Sequence, residues 1–213
     1  MSVADIPTVH AKSVTVITTL LSMVRWVPGT RERLQDAALE LFAARGYEQT
    51  TATDIAQAVG LTERTFFRHF ADKREVLFHG QQTLTDAFLA GLPDAPYDAS
   101  PIELAVSALR SSAGFFDDDR RSHSRMRQSV IDDNPALRER EALKLVGLGH
   151  VLGGALQDRG IDGLTADVAA QIAVMAFGIA FAHWIAEGEQ RSFETIAMDV
   201  VLEVAAVVGR LDR

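Results

Sequence analysis

From Thr30 onward the apolar residues of this 213-residue chain return every three or four positions, and nearly every stretch opens on a residue that caps helices. That pairing leaves little room for a sheet. Leu34, Ala37, Ala38, Leu41 and Phe42 line one side of a first helix, which Thr30 is placed to cap and Gly46 to end. Thr51 and Asp54 have capping-box spacing; the stripe Ile55, Ala56, Val59 follows, closed by Gly60. Thr62 caps a third, short helix, with Glu63 in its first turn, where the helix dipole favours an acid. Asp72 and Glu75 repeat the box spacing and open a helix reaching about Gly91. Residues 92–100 hold two prolines and read as a loop. Ser100-Pro101 and Asn134-Pro135 each put proline at the first helical position, where its missing N–H costs nothing. Thr165 and Ser192 cap two last helices. Strand alternation is convincing nowhere beyond residue 30, so the chain is expected to be all-α, with about nine helices and no internal repeat.

The first 29 residues differ. "SVTVITTLLSMVRWV" (13–27) is rich in Val and Thr, lacks a helical period, and is too short to span a membrane. No signal-type cleavage site follows it. Residues 1–29 are expected to form a disordered or loosely attached arm; alternatively Met23 is the natural start and 1–22 a spurious extension. A helix near 166–187 is expected to be too polar at its ends, and too short between them, to cross a membrane.

Charge narrows the function. The net charge is −8, but residues 30–80 carry 7 basic and 8 acidic side chains, whereas 81–213 carry 12 and 20. A nucleic-acid site therefore belongs in the near-neutral 30–80 segment, because phosphate repels an acidic face. The chain has no cysteine, which excludes disulfides, thiolate metal sites and cysteine nucleophiles, and fits a reducing cytoplasm. Its histidines are scattered, and it has neither a Gly-rich phosphate loop nor a His-Glu-x-x-His motif. No catalytic residue, metal site or cofactor is expected.

With 62–70 helical, Phe66 and Phe70 lie four apart and face Ile55, Val59 and Leu61. Arg64 and Arg68 lie on the opposite side with Thr65 beside them, and Phe67 leans outward. Two short helices joined tightly, the second offering Arg and Thr, make a helix-turn-helix whose second helix can enter a major groove. Arg reads guanine with a two-pronged fork, and Thr meets a base edge or the thymine methyl. The same spacing also allows a small helical core whose arginines are merely solvated.

The run "TTATDIAQAVGLTERTFFRHFADKREVLF" (50–78) resembles the DNA-binding domain of the TetR family of bacterial regulators, through T-x-x-D-I-A, G-[LV]-[ST] and T-x-x-x-[HY]-F-x-x-K-x-x-[LV]. The likeness covers 30–80 as the helix-turn-helix domain. It implies that 81–213 form a helical ligand-binding and dimerisation domain. It also implies that Thr51, Thr62 and Lys73 meet phosphates of double-stranded operator DNA, palindromic to match a homodimer, and that Arg64, Thr65 and Arg68 lie near bases. Phe67 stands where the family often has tyrosine, so a hydroxyl contact to phosphate is lost; His69 is expected to pack or lie beside phosphate.

In the second domain, Phe193, Ile196, Val200, Val204, Val207 and Leu211 form a stripe suited to closing the core or, by the resemblance, to pairing two subunits. Gly147, Gly149, Gly153 and Gly154 on one helix call for close helix contact or for ligand space. "FFDDDRRSHSRMRQ" (115–128) reads as ion pairs or as an anionic-headgroup site at the mouth of an apolar pocket. The layout is also similar to a TetR branch with acyl-CoA-like ligands. That favours a long apolar, anionic effector. A ligand-released repressor is expected, with Phe116, Met126, Phe177, Phe181 and Trp184 as pocket walls and Arg121, Arg125 or Arg127 meeting an anionic group. A helical adaptor without specific DNA binding is the rival class, and an enzyme the third.

Overall fold

The computed structural model describes residues 29–209, so the expectations for the arm at 1–28 and for Leu211 lie outside the described residues. The elements are α1 (Thr30–Arg45), α2 (Ala52–Ala58), α3 (Glu63–His69), α4 (Glu75–Phe78), α5 (Gln81–Asp94), α6 (Pro101–Ser112), α7 (Arg121–Asp132), α8 (Pro135–Asp158), α9 (Gly163–Trp184) and α10 (Phe193–Val208). Two one-turn 3₁₀ segments, Ala113–Phe115 and Asp118–Arg120, join α6 to α7. Among the described residues there is no strand, as the sequence pattern requires.

Most helix starts follow the local chemistry. Thr51 and Asp54 make a reciprocal box, Thr62 accepts from Thr65 N, Asn134 from Ala136 N and Leu137 N, and Ser192 from Thr195 N. Gly46 and Gly60 hold φ of +86° and +72°, a positive-φ backbone that L side chains adopt only under strain, and so end α1 and α2. Several expectations are corrected. Thr30 is already helical and Gly29 stands at the cap; likewise Asp162, not Thr165, caps α9, its carboxylate accepting from Thr165 N at 3.2 Å. The single helix expected over 72–91 breaks into α4 and α5 at His79-Gly80, and α5 runs on to Asp94 through Pro93. Asp72 does accept from Arg74 N (2.8 Å) and Glu75 N (3.1 Å), but Glu75 does not return the bond. Its carboxylate goes instead to Arg140 (2.6 Å) and Lys144 (3.6 Å) on α8.

Two apolar cores result. The first joins α1–α4 through Leu34, Phe42, Ile55, Phe66, Phe70 and Phe78, and it also takes in Val130, Ile131 and Leu137 from α7 and α8. The small N-terminal unit is thus completed by residues that lie far along the chain. The second core joins α5, α6, α8, α9 and α10. At its centre α9 presents Ala166, Ala169, Ala170, Ala173, Ala176 and Ala180, all buried. By length and composition α9, at 22 residues, is long and apolar enough to cross a membrane, contrary to expectation; here it serves as the central helix of this bundle. A Cβ at Gly149 would lie 2.5 Å from Gln171 Nε2 and one at Gly153 3.0 Å from Asp167 Oδ1, so these two glycines let α8 approach α9 closely. Gly147 and Gly154 face open space.

The glycines separate in stability. At Gly91 a Cβ would meet the Ser107 carbonyl oxygen at 2.3 Å, and backbone cannot step aside cheaply. Gly91→Ala is expected to destabilise by about 1–3 kcal/mol. Gly154→Ala, in a helix with nothing within 4 Å, is expected to stabilise by about 0.5–1 kcal/mol. Denaturant midpoints check both; equal midpoints for the two variants would contradict the packing argument.

Candidate DNA interface and effector region

The candidate recognition face is built on α3. Phe66 and Phe70 are buried, edge to face or tilted within 5.4 Å of their ring neighbours, and fasten the helix to the first core. That leaves Arg64, Phe67 and Arg68 facing out; Phe67 is 49% exposed. Arg64 and Arg68 have no hydrogen bond or ion pair among the described residues, so their full donor forks are available to a partner. Thr65 Oγ1 lies 3.1 Å from Thr62 Oγ1, half-buried beside them. His69 is half-buried and its Nε2 has no partner among the described residues.

Thr51 is already engaged. Its N–H and hydroxyl both donate to Asp54 Oδ2, at 2.8 and 2.6 Å, and these bonds hold the Asp54 carboxyl below its usual range. A phosphate that took the Thr51 hydroxyl would displace this carboxylate.

Lys73 points inward. Its Nζ donates to Tyr47 O (2.8 Å) and Thr50 O (3.1 Å) and sits 4.1 Å from the Tyr47 ring centroid. Tyr47 is itself buried, which pushes its phenol up to about 12. The ammonium thus pins the α1–α2 turn to the chain leaving α3, a role that residue spacing did not reveal. Lys73→Met should therefore lower stability by about 1–3 kcal/mol, because two carbonyls lose a charged donor. Thermal melting without DNA checks this; an unchanged melt accompanied by weaker DNA binding would restore the phosphate role. Arg33, which sequence reasoning passed over, braces α2 by donating to Val59 O at 2.7 Å.

In the second domain, Phe116, Phe177, Phe181 and Trp184 pack against one another. Phe193 joins them at the start of α10, and its ring stacks on Phe116 with centroids 4.5 Å apart. Met126 does not join them. It lies 40% exposed in an open groove of about 680 Å³ between α1 and α7, with Phe42, Tyr47 and Val130.

The three arginines expected to meet an anion are taken up internally. Arg121, 9% exposed, donates to Asp118 (2.6 Å), to the Arg191 carbonyl (2.7 Å) and to the Glu189 carbonyl, and covers the Trp184 ring. Arg125 donates to Ile185 O (2.6 Å) and Ala186 O (3.0 Å) just past the end of α9. Arg127 donates to Leu77 O (2.7 Å) and pairs with Glu141 (3.0 Å). Orphan carbonyls at helix ends attract guanidinium groups, and spacing cannot tell such a site from a ligand site.

A third surface lies between α9 and α10. Met175, Ile179, Val200, Val204, Val207 and Val208 line a groove of about 520 Å³, with His183, Arg191, Asp199 and Glu203 among them. Leu202 and Val207 are 68% and 64% exposed.

The family model described as "Bacterial regulatory proteins, tetR family" matches residues 34–79, which run from α1 through α4. The HTH-type transcriptional regulator TcmR of Streptomyces glaucescens is 46% identical over 85 residues, covering 40% of this chain and 38% of that protein. MftR of Mycobacterium tuberculosis, a regulator named for mycofactocin biosynthesis, is 30% identical over 178 residues, 81% of this chain and 89% of its own length. Among solved structures, SmeT in complex with triclosan has a TM-score of 0.56 at 20% identity, covering 84% of this chain and 91% of that one. A regulator from Mesorhizobium loti has a TM-score of 0.53 at 22% identity, covering 83% and 95%. These two share the fold. The likeness to MftR over most of both chains, the tetR-type match and the helix-turn-helix geometry lead to one conclusion: the chain belongs to the TetR family of bacterial regulatory proteins, and is a DNA-binding transcriptional regulator rather than an enzyme.

Proposed function

We propose that the chain is a homodimeric cytoplasmic repressor that leaves a twofold operator when an apolar effector enters the C-terminal bundle. The observation that carries this reading is the position of α7. One end is tied by Arg121 and Arg125 to the carbonyls that follow α9. Further along, His123 Nε2 lies 3.7 Å from Asp36 on α1, Arg127 holds Leu77 O, and Val130 and Ile131 complete the first core. A displacement of α7 by ligand therefore moves the frame of α3. A hundredfold loss of operator affinity corresponds to about 2.7 kcal/mol of coupling, ordinary for allostery. The effector acts only through its differential affinity for the two states.

Because Arg121, Arg125 and Arg127 already have acceptors, the effector is recognised by its apolar part. Acyl-CoA remains the sharpest probe of that statement. Operator fragments selected by the protein from random DNA are titrated with lauroyl-CoA and with lauric acid. Release at similar concentrations supports recognition of the chain. Release by the thioester alone returns the phosphate-bearing CoA part to the reading. Tight binding of either without release shows that it is not an inducer.

The α9–α10 surface supports the dimer. Val207 is largely exposed in one subunit, so Val207→Glu is tolerated by the fold but places a carboxylate in an apolar contact. Light scattering should find monomers, with operator affinity reduced at least about tenfold as the half-sites are no longer bound together. An unchanged dimer would move the interface elsewhere.

A further inference from the structure

We infer that Phe116 is a built-in occupant of an aromatic-ring site, and that the effector is a planar aromatic molecule carrying a hydrogen-bond acceptor, which displaces Phe116 and takes the N–H of Trp184. The inference rests on the reading that an apolar effector enters the C-terminal bundle, and it names that effector's class.

Four rings held on helices surround a fifth that is not. Phe177, Phe181 and Trp184 stand on α9 and Phe193 on α10; Phe177 is 6% exposed, Trp184 and Phe193 not at all. The Phe116 centroid lies 5.5 Å from Phe177, 5.7 Å from Phe181, 5.5 Å from Trp184 and 4.5 Å from Phe193. On Phe193 it stacks with 27° between the planes, and on Phe181 and Trp184 it meets edge to face. These are the arrangements ring quadrupoles favour, and any flat aromatic molecule could adopt them. Phe116 itself is half-buried, with φ −115° and ψ 80°, between two single 3₁₀ turns. The central ring is therefore the one held by the least secondary structure. Withdrawing it would leave a ring-sized space with apolar walls, which a benzene-like guest can fill.

Polarity defines the guest further. Trp184 Nε1 is buried and has no hydrogen-bond partner among the described residues. An unmatched buried donor is costly, so a ligand oxygen that reaches it gains what the folded chain lacks. Arg121 lies 5.2 Å from the same ring, but its donors are already engaged by Asp118 and by backbone carbonyls. The site therefore suits one neutral acceptor on a flat apolar frame and offers little to a phosphate.

Displacement also has a path to DNA. Phe116 N donates to Ala113 O, and Asp117 accepts from Arg120 N at 2.9 Å, so the chain from Phe116 to Arg121 at the start of α7 is short and internally bonded. Moving the ring draws on the helix that braces α1 and α4.

The test compares 9-fluorenone with fluorene, one tricyclic frame with and without a carbonyl acceptor, and lauric acid as a chain-like arm. Affinities come from equilibrium dialysis against the full chain, and operator release is followed in parallel. The native protein should prefer fluorenone by about tenfold, the share of one buried hydrogen bond. In Trp184→Phe the preference of fluorenone over fluorene should vanish, whatever the absolute affinity of either. Phe116→Ala should bind both tricycles more tightly, at least about tenfold, because no ring has to leave. Equal binding of the two tricycles to the native protein overturns the inference, and so does weaker binding of both to Phe116→Ala, which would make Phe116 a wall. If Trp184→Phe fails to fold, the native preference and the Phe116→Ala result decide. Operator release by lauric acid with no binding of either tricycle overturns the ligand class and leaves ligand release standing. Tight fluorenone binding without release does the reverse.

Discussion

An Arg64→Ala, Arg68→Ala double variant is expected to lose most of its discrimination between operator and unrelated DNA. Each arginine is exposed on α3, four residues from the other, and neither has an acceptor among the described residues. A bidentate contact to a guanine contributes about 1–3 kcal/mol of discrimination. Two such contacts correspond to roughly 30-fold to 10⁴-fold in relative affinity. The fold should be indifferent, since exposed side chains away from special features usually change stability by less than about 0.5 kcal/mol. Competition of labelled operator against scrambled DNA, at one fixed salt concentration, measures the ratio. If the double variant kept its preference while losing affinity for all sequences alike, the two arginines would be phosphate contacts and base readout would lie elsewhere.

Phe66→Ala is expected to have the largest effect on stability. Phe66 is fully buried, its ring 5.4 Å from those of Phe67 and Phe70, and its carbonyl accepts from Phe70 N at 3.0 Å. Truncating such a ring leaves a cavity and costs about 3–5 kcal/mol. A domain of this size has only about 5–15 kcal/mol in hand. The loss should concentrate in α1–α4, so amide exchange there should accelerate before it does in α8–α10. Phe67→Ala, next in sequence but 49% exposed, should leave the melt almost where it was. Equal losses for the two phenylalanines would mean that α3 is docked by a different face.

These two neighbours also show what was legible in advance. The division of α3 into a buried and an offered side follows from spacing alone, because a helix turns 100° per residue whatever surrounds it. Caps are legible for the same reason: Thr51, Thr62, Asn134 and Ser192 accept from N–H groups two or three residues away, and Ser100 donates to the Glu103 carboxylate three residues on. Where two nearby candidates compete the pattern is ambiguous. Asp162 prevails over Thr165, and the helix expected over 72–91 breaks at His79-Gly80 while Glu75 turns to Arg140 and Lys144.

Long-range partners were not legible. Lys73 is a cation in a plausible phosphate position, yet its acceptors are the carbonyls of Tyr47 and Thr50, 26 and 23 residues away. Arg121, Arg125 and Arg127 have the composition of an anion site, but the C-terminal end of α9, the loop before α10 and Leu77 claim them. Met126 belongs to the groove between α1 and α7, and Phe193 completes the aromatic cluster from another helix.

By itself, then, the sequence determined the helical class, most helix boundaries, the outward side of α3 and the inward aromatic row of α9, because each depends on contacts within a turn or two. Tertiary structure alone decided which charged groups remain free. A guanidinium or ammonium goes to whichever buried carbonyl or carboxylate lies within about 3 Å, and folding sets that distance between residues far apart in the chain.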